Sequence, residues 1–86
     1  MAELKVSVVS ADHGVWSGLA KQVIARTTEG EIGILAGHEP LLAILGEGEV
    51  RVTTTDGNVV TANAADGFLS VEHDTITIVA RNAALV

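Results

Sequence analysis

Aliphatic residues recur at every second position from Leu4 through Val6 to Val8, with Glu3, Lys5 and Ser7 beside them. Successive side chains of a strand point to opposite faces, so a period of two describes a β-strand with one buried face. The pattern returns over residues 50–55 and again over residues 59–64, either side of Asp56-Gly57-Asn58. Asp-Gly accepts the positive φ angles of a tight turn, which makes these two runs a hairpin. Residues 68–71 and 75–80, split by Glu72-His73-Asp74, read as a second hairpin. Residues 22–27 and 31–35 are two more strands around a turn at Thr28-Glu29-Gly30, and residues 14–18, around Trp16, form a short strand or corner. The spacing predicts roughly eight or nine short strands. Strands that dense predict an all-β fold, a small antiparallel two-sheet β-sandwich or flattened barrel, with residues 1–86 as one domain.

Helix signals are weak. Pro40 suits a first helical position, so residues 39–45 could make one turn before Gly46 stops it. The tail, Asn82-Ala83-Ala84-Leu85-Val86, carries helix-forming alanines.

A domain this small buries only about 60–65% of the surface its unfolded chain exposes. With one Trp, one Phe and no Tyr, its thin core must be built from Val, Ile, Leu and Ala. Such a core leaves no room for a large catalytic cleft, which puts a binding or assembly role ahead of an enzyme. The formal charge is −6, and the five bases Lys5, Lys21, Arg26, Arg51 and Arg81 are scattered singly. Phosphate backbones and anionic lipid need clustered Lys and Arg, so neither is an expected partner. There is no cysteine, which excludes disulfides and thiolate metal sites and fits a cytosolic setting. The longest unbroken aliphatic run, residues 41–45, is far too short to span a bilayer, and the N-terminus does not resemble a signal peptide. The expectation is a soluble chain.

Candidate chemistry is sparse. His38-Glu39 invites a metal or general-base reading, but the helical zinc motif needs a second His where Leu42 stands. His13 and His73 each neighbour an acid as well, in separate turns. Gly30, Gly33 and Gly37 miss the spacing of a phosphate loop, and the carboxylates of Gly46-Glu47-Gly48-Glu49 would repel phosphate. Ser10, Ser17 and Ser70 lack the strained elbow of a nucleophile. Glu29 and Glu31 alternate onto one side of a strand start, where a solvated pair is the ordinary outcome. No cofactor, metal or catalytic set is expected. A lipoyl- or biotinyl-type carrier would need a lysine at a hairpin tip, and the best tip here is Asp56-Gly57-Asn58. A glycan-binding module would display aromatic platforms, which Trp16 and Phe68 supply poorly.

The stretch that stays unexplained runs from Glu29 to Leu45. Gly37, His38 and Glu39 must project as a loop, and Leu41, Leu42, Ile44 and Leu45 carry more apolar surface than a thin sandwich easily hides. That run is either core or a docking face.

An ordered set of segments then becomes specific. Val8-Val9-Ser10-Ala11, Trp16-Ser17-Gly18, Glu29-Gly30-Glu31-Ile32-Gly33-Ile34 and Gly37-His38-Glu39-Pro40-Leu41-Leu42 are followed by Val50-Arg51-Val52, Gly67-Phe68-Leu69-Ser70-Val71 and Ile76-Thr77-Ile78-Val79-Ala80. Together they resemble the epsilon subunits of F-type proton-translocating ATP synthases, most closely actinobacterial ones, over essentially the whole chain. The resemblance implies a two-sheet β-sandwich in the central stalk, a non-catalytic rotor part that docks the gamma subunit onto the ring of membrane c subunits. It places the chain, peripherally, at the cytoplasmic face of the cell membrane. The family's ring-facing loop falls on residues 29–39, which implies ring contacts at Glu31 and His38, with Glu29 and Glu39 beside them. Ser10 and Leu42 would face gamma. Ala36 stands where the family usually has Pro, and Asp66-Gly67 where many members have two glycines. The family's C-terminal helices would begin near Val86, so the expectation is a form without that helical domain and its restraint on ATP hydrolysis.

Overall fold

The N-terminal alternation forms strand β1 (Leu4–Ser10), whose Leu4, Val6 and Val8 are buried while Lys5 is exposed. In the computed structural model, which describes residues 3–10 and 13–85, five further strands follow. They are β2 (Gly14–Thr27), β3 (Gly30–Leu35), β4 (Leu41–Thr54), β5 (Val59–Glu72) and β6 (Thr75–Leu85). The hydrogen-bonded order is β1-β6-β5-β4-β2-β3, and β1 also pairs with β2, which closes the sheet on itself. Every ladder is antiparallel except β1–β6, which is parallel.

Six strands replace the eight or nine short ones because β2, β4 and β5 each run for 14 residues and bend. The sequence marks those bends with the same residues that mark turns. Between Leu45↔Gly67 and Gly48↔Ala64 the β4–β5 pairing lapses, and there Asp66 turns to φ 58°. β2 carries two register shifts against β4, and its first half pairs with β1 while its second half pairs with β3 and β4. Bulged strands that change partner along their length wrap one sheet into two layers. The first layer holds the start of β4, the end of β5, the start of β6, β1 and the start of β2. The second holds β3 with the other halves.

Two local expectations are corrected. Residues 39–45 form no helical turn: β4 begins at Leu41 directly after Pro40, a permitted place for proline in a sheet. The tail through Leu85 is strand, with Ala83 opposite Ala64 and packed on the core. In both segments the period-two burial demanded by the neighbouring strand overrides a weak helix preference.

Between the layers lie mainly aliphatic side chains and alanines, with Ser10 and Thr27 as the buried polar residues among those described. Leu4, Ile34, Leu69, Ile76 and Ile78 are the largest of those fully buried. Each contributes about 1.5–3 kcal/mol relative to exposure. Gly67 is required by the packing, because a Cβ there would stand 1.8 Å from the Val79 carbonyl oxygen. Among the described residues every buried side-chain nitrogen or oxygen has a hydrogen-bond partner.

Candidate docking faces

The apolar run at the start of β4 divides between core and surface. Leu45 is buried and Leu41 packs on the core, whereas Leu42 and Ile44 point outward at 69% and 58% exposure. Pairing extends this outward side across the first layer. Ile44 is opposite Phe68, Phe68 opposite Val79, and Val79 opposite Val9, one row over four strands. Phe68 is 40% exposed. Directly opposed side chains on a sheet face touch, so the row forms one continuous apolar strip with Leu42 at its edge. The outer face of the second layer is charged: Arg26 is opposite Glu31, and Arg51 comes within 3.5 Å of Glu31.

The segment 29–39 is not a single loop. Glu29 sits in the β2–β3 turn, where the buried Thr27 hydroxyl donates to the Gly30 carbonyl at 2.7 Å and accepts the Glu29 N–H at 3.2 Å. Glu31 begins β3. His38 and Glu39 lie beyond the other end of that strand, about 13 Å further on at the usual rise per residue. All four side chains are exposed, but they make two patches and not one. His38 Nδ1 is 2.8 Å from the Glu39 carbonyl oxygen, which can only accept, so the contact is a hydrogen bond in the tautomer protonated at Nδ1. The loop after β3 is tied back by Gly37 N–H donating to Asp74 Oδ1 at 2.7 Å and His38 N–H donating to Leu35 O at 3.2 Å. Ala36, at the position of the usual Pro, packs against the core.

Ser10 and Leu42 do not share a face. Ser10 is 7% exposed, points to the core side of β1, and donates its N–H to the His13 carbonyl at 2.8 Å. It borders an open cavity of about 690 Å³ whose polar lining includes Glu47, Asn63, Arg81 and Asn82. Its neighbour Val9 is the β1 residue on the apolar strip. The histidines stay in separate connections, and among the described residues no three His, Asp or Glu side chains gather as metal ligands.

Sequence reasoning missed Phe68 and Val79 as surface residues, because both lie in alternating strands whose inward phase is set by pairing register. It missed Asp74 and Arg51 for the same reason: their partners are 37 and 20 residues away.

The chain is thus a small closed β-sandwich domain with an apolar strip on one outer face and exposed acidic turns. Residues 3–86 match the family described as the ATP synthase Delta/Epsilon chain, beta-sandwich domain, and the chain belongs to that family. It is 59% identical over 85 residues to the ATP synthase epsilon chain of Micrococcus luteus, covering 93% of that protein. It is 46% identical over 84 residues to the ATP synthase epsilon chain of Streptomyces coelicolor, covering 68% of it. Its fold overlaps a chain in a Euglena gracilis mitochondrial ATP synthase assembly containing the c ring, with TM-score 0.92 and 25% identity. A chain in the central stalk and c-ring part of the Tetrahymena thermophila mitochondrial ATP synthase overlaps at TM-score 0.73 and 14% identity, a likeness of fold. The protein spans 54% of the Euglena chain and 64% of the Tetrahymena chain.

Proposed function

We propose that this protein is a non-catalytic rotor subunit of an F-type ATP synthase, docking a gamma subunit onto the ring of c subunits and so coupling proton passage to ATP synthesis. The observation that carries this reading is the fold overlap, across 99% of the chain, with a component of an assembly that contains the c ring. The two surfaces suit two partners. The Ile44–Phe68–Val79–Val9 strip, with Leu42, has the apolar character of an interface core and faces gamma. The exposed acids Glu29, Glu31 and Glu39, with His38, meet basic polar loops of the ring, where charge sets orientation more than affinity. Ser10, turned to the core, gives up its gamma-facing role to Val9. The complex is membrane-associated, and the domain works at the cytoplasmic face of the cell membrane. The glycan-module reading is weakened by Trp16, which packs against the core and offers no open platform.

The test is recovery of affinity-tagged full-length protein from detergent-solubilised membranes, comparing wild type with Glu31→Lys/His38→Ala. Gamma and c subunits accompany the wild type, and the double change reduces the c-subunit yield. Equal ring yield from both would move the ring contact elsewhere. Absence of every ATP synthase subunit would overturn the assignment.

A further inference from the structure

We propose that Asp74 is the positioning residue for the ring-facing loop at His38 and Glu39, a role that rests on the reading of those two residues as ring contacts. The β5–β6 hairpin is closed by His73 and Asp74 between the pair Glu72↔Thr75, with φ of 49° and 58°. Two consecutive positive φ angles make a turn of type I′, whose second position favours glycine. An aspartate there is the poorer choice for the hairpin itself. Aspartate tolerates this conformation at a small cost relative to glycine, and its carboxylate is used elsewhere. The Asp74 carboxylate accepts the Gly37 N–H at 2.7 Å, the length of a charge-assisted bond, and the Asp74 carbonyl accepts the Lys5 N–H at 2.8 Å. Gly37 sits at φ 87°, where an added Cβ would meet nothing within 4 Å, so its own N–H is held by the bond to Asp74, and the next peptide by the His38 N–H to Leu35 O. His38 and Glu39 follow directly, so their exposed imidazole and carboxylate start from the backbone that this bond holds. Asp74 thus trades an ideal turn for a fixed loop.

The experiment loads full-length protein with purified gamma subunit and titrates it with detergent-purified c ring. Wild type, Asp74→Gly, Asp74→Asn and His38→Ala are compared. Melting temperature and hydrogen exchange of the Gly37 amide are read in parallel. Asp74→Gly, the better turn residue, is expected to melt at or above wild type and to bind gamma normally. Its Gly37 amide should exchange faster and its ring affinity fall about fivefold, within the range of one ordinary hydrogen bond at an exposed site. Asp74→Asn keeps an acceptor oxygen and tolerates the left-handed backbone, so it should stay within about twofold of wild type. Unchanged Gly37 exchange or unchanged ring affinity in Asp74→Gly overturns the proposal, as does joint loss of gamma, ring and melting temperature. If His38→Ala weakens the ring while Asp74→Gly does not, the ring contact stands and only the role of Asp74 falls. If neither weakens it, the loop is not the contact and both readings fall.

Discussion

Ile44 on β4 stands directly opposite Phe68 on β5, and both side chains face away from the core that buries their chain neighbours Leu45 and Leu69. Strand alternation makes this arrangement unavoidable once Leu45 and Leu69 are inside, so the exposed pair does little for the fold. Ile44→Ser with Phe68→Ser is therefore expected to change unfolding free energy in urea by under about 1 kcal/mol. The same double change should lower gamma recovery by about tenfold or more, because it empties the centre of the apolar strip. Undiminished gamma recovery would remove the strip from the interface.

Leu69 tests the opposite face of the same strand. It is fully buried and lies opposite Ile78, itself fully buried. Leu69→Ala should cost about 2–5 kcal/mol in chemical denaturation, from lost transfer free energy and the cavity left behind. For a domain whose total stability is on the order of 4–13 kcal/mol, that is a large share. Gamma binding, corrected for the folded fraction, should not change.

The contrast between these neighbours marks what the sequence could and could not tell. Period two gave the strands, the all-β class and the Asp56-Gly57-Asn58 turn, because those depend on local pattern and backbone preference. It could not separate a bend from a turn: Gly46, Gly48 and Asp66-Gly67 look like loop residues and lie inside 14-residue strands. The acids Glu29 and Glu31 and the loop residues His38 and Glu39 were legible as exposed candidates. Their division between two ends of β3 was not, nor was the tie from Asp74 to Gly37, since both follow from pairing between distant segments. The apolar run 41–45 was legible as ambiguous, and the structure resolves it by giving alternate residues to core and surface.

Gly67 should tolerate no side chain. Its hypothetical Cβ meets the Val79 carbonyl oxygen and lies 2.5 Å from the Ala80 Cα, both backbone atoms of β6. Gly67→Ala forces the β5–β6 ladder apart and should cost about 3 kcal/mol or more, the upper range for overpacking. Gly57→Ala is the control. Nothing lies near its Cβ, but φ is 94°, so only backbone strain of about 1 kcal/mol is expected. Equal effects in thermal unfolding would contradict the packing argument.

Asp56 holds the β4–β5 hairpin through a bond from the Thr54 hydroxyl and a second from the Asn58 N–H. These bonds favour the carboxylate, the Thr54 hydroxyl most, and set the Asp56 pKa below its ordinary value. A lowered folded-state pKa means that the hairpin gains from the charged form above the unfolded pKa. That gain is lost as pH falls through the folded value. A carbon-detected NMR titration should find the Asp56 midpoint below that of a free aspartate, and Thr54→Val should move it upward. A midpoint indifferent to Thr54 would mean that the hydroxyl does not hold the carboxylate in solution.

Arg51 and Glu31 approach to 3.5 Å with their side chains 47% and 51% exposed. Solvent screens such a pair, so Arg51→Gln should change stability by under about 0.5 kcal/mol. Its effect on docking should be larger, because the guanidinium masks part of the Glu31 charge from any basic partner. Arg51→Gln is expected to speed association with purified c ring at low salt, and Glu31→Gln to slow it. Both differences should fade as ionic strength rises and the Debye length falls below about 8 Å. The reverse order of rates would mean that Arg51, and not Glu31, carries the attraction on this edge.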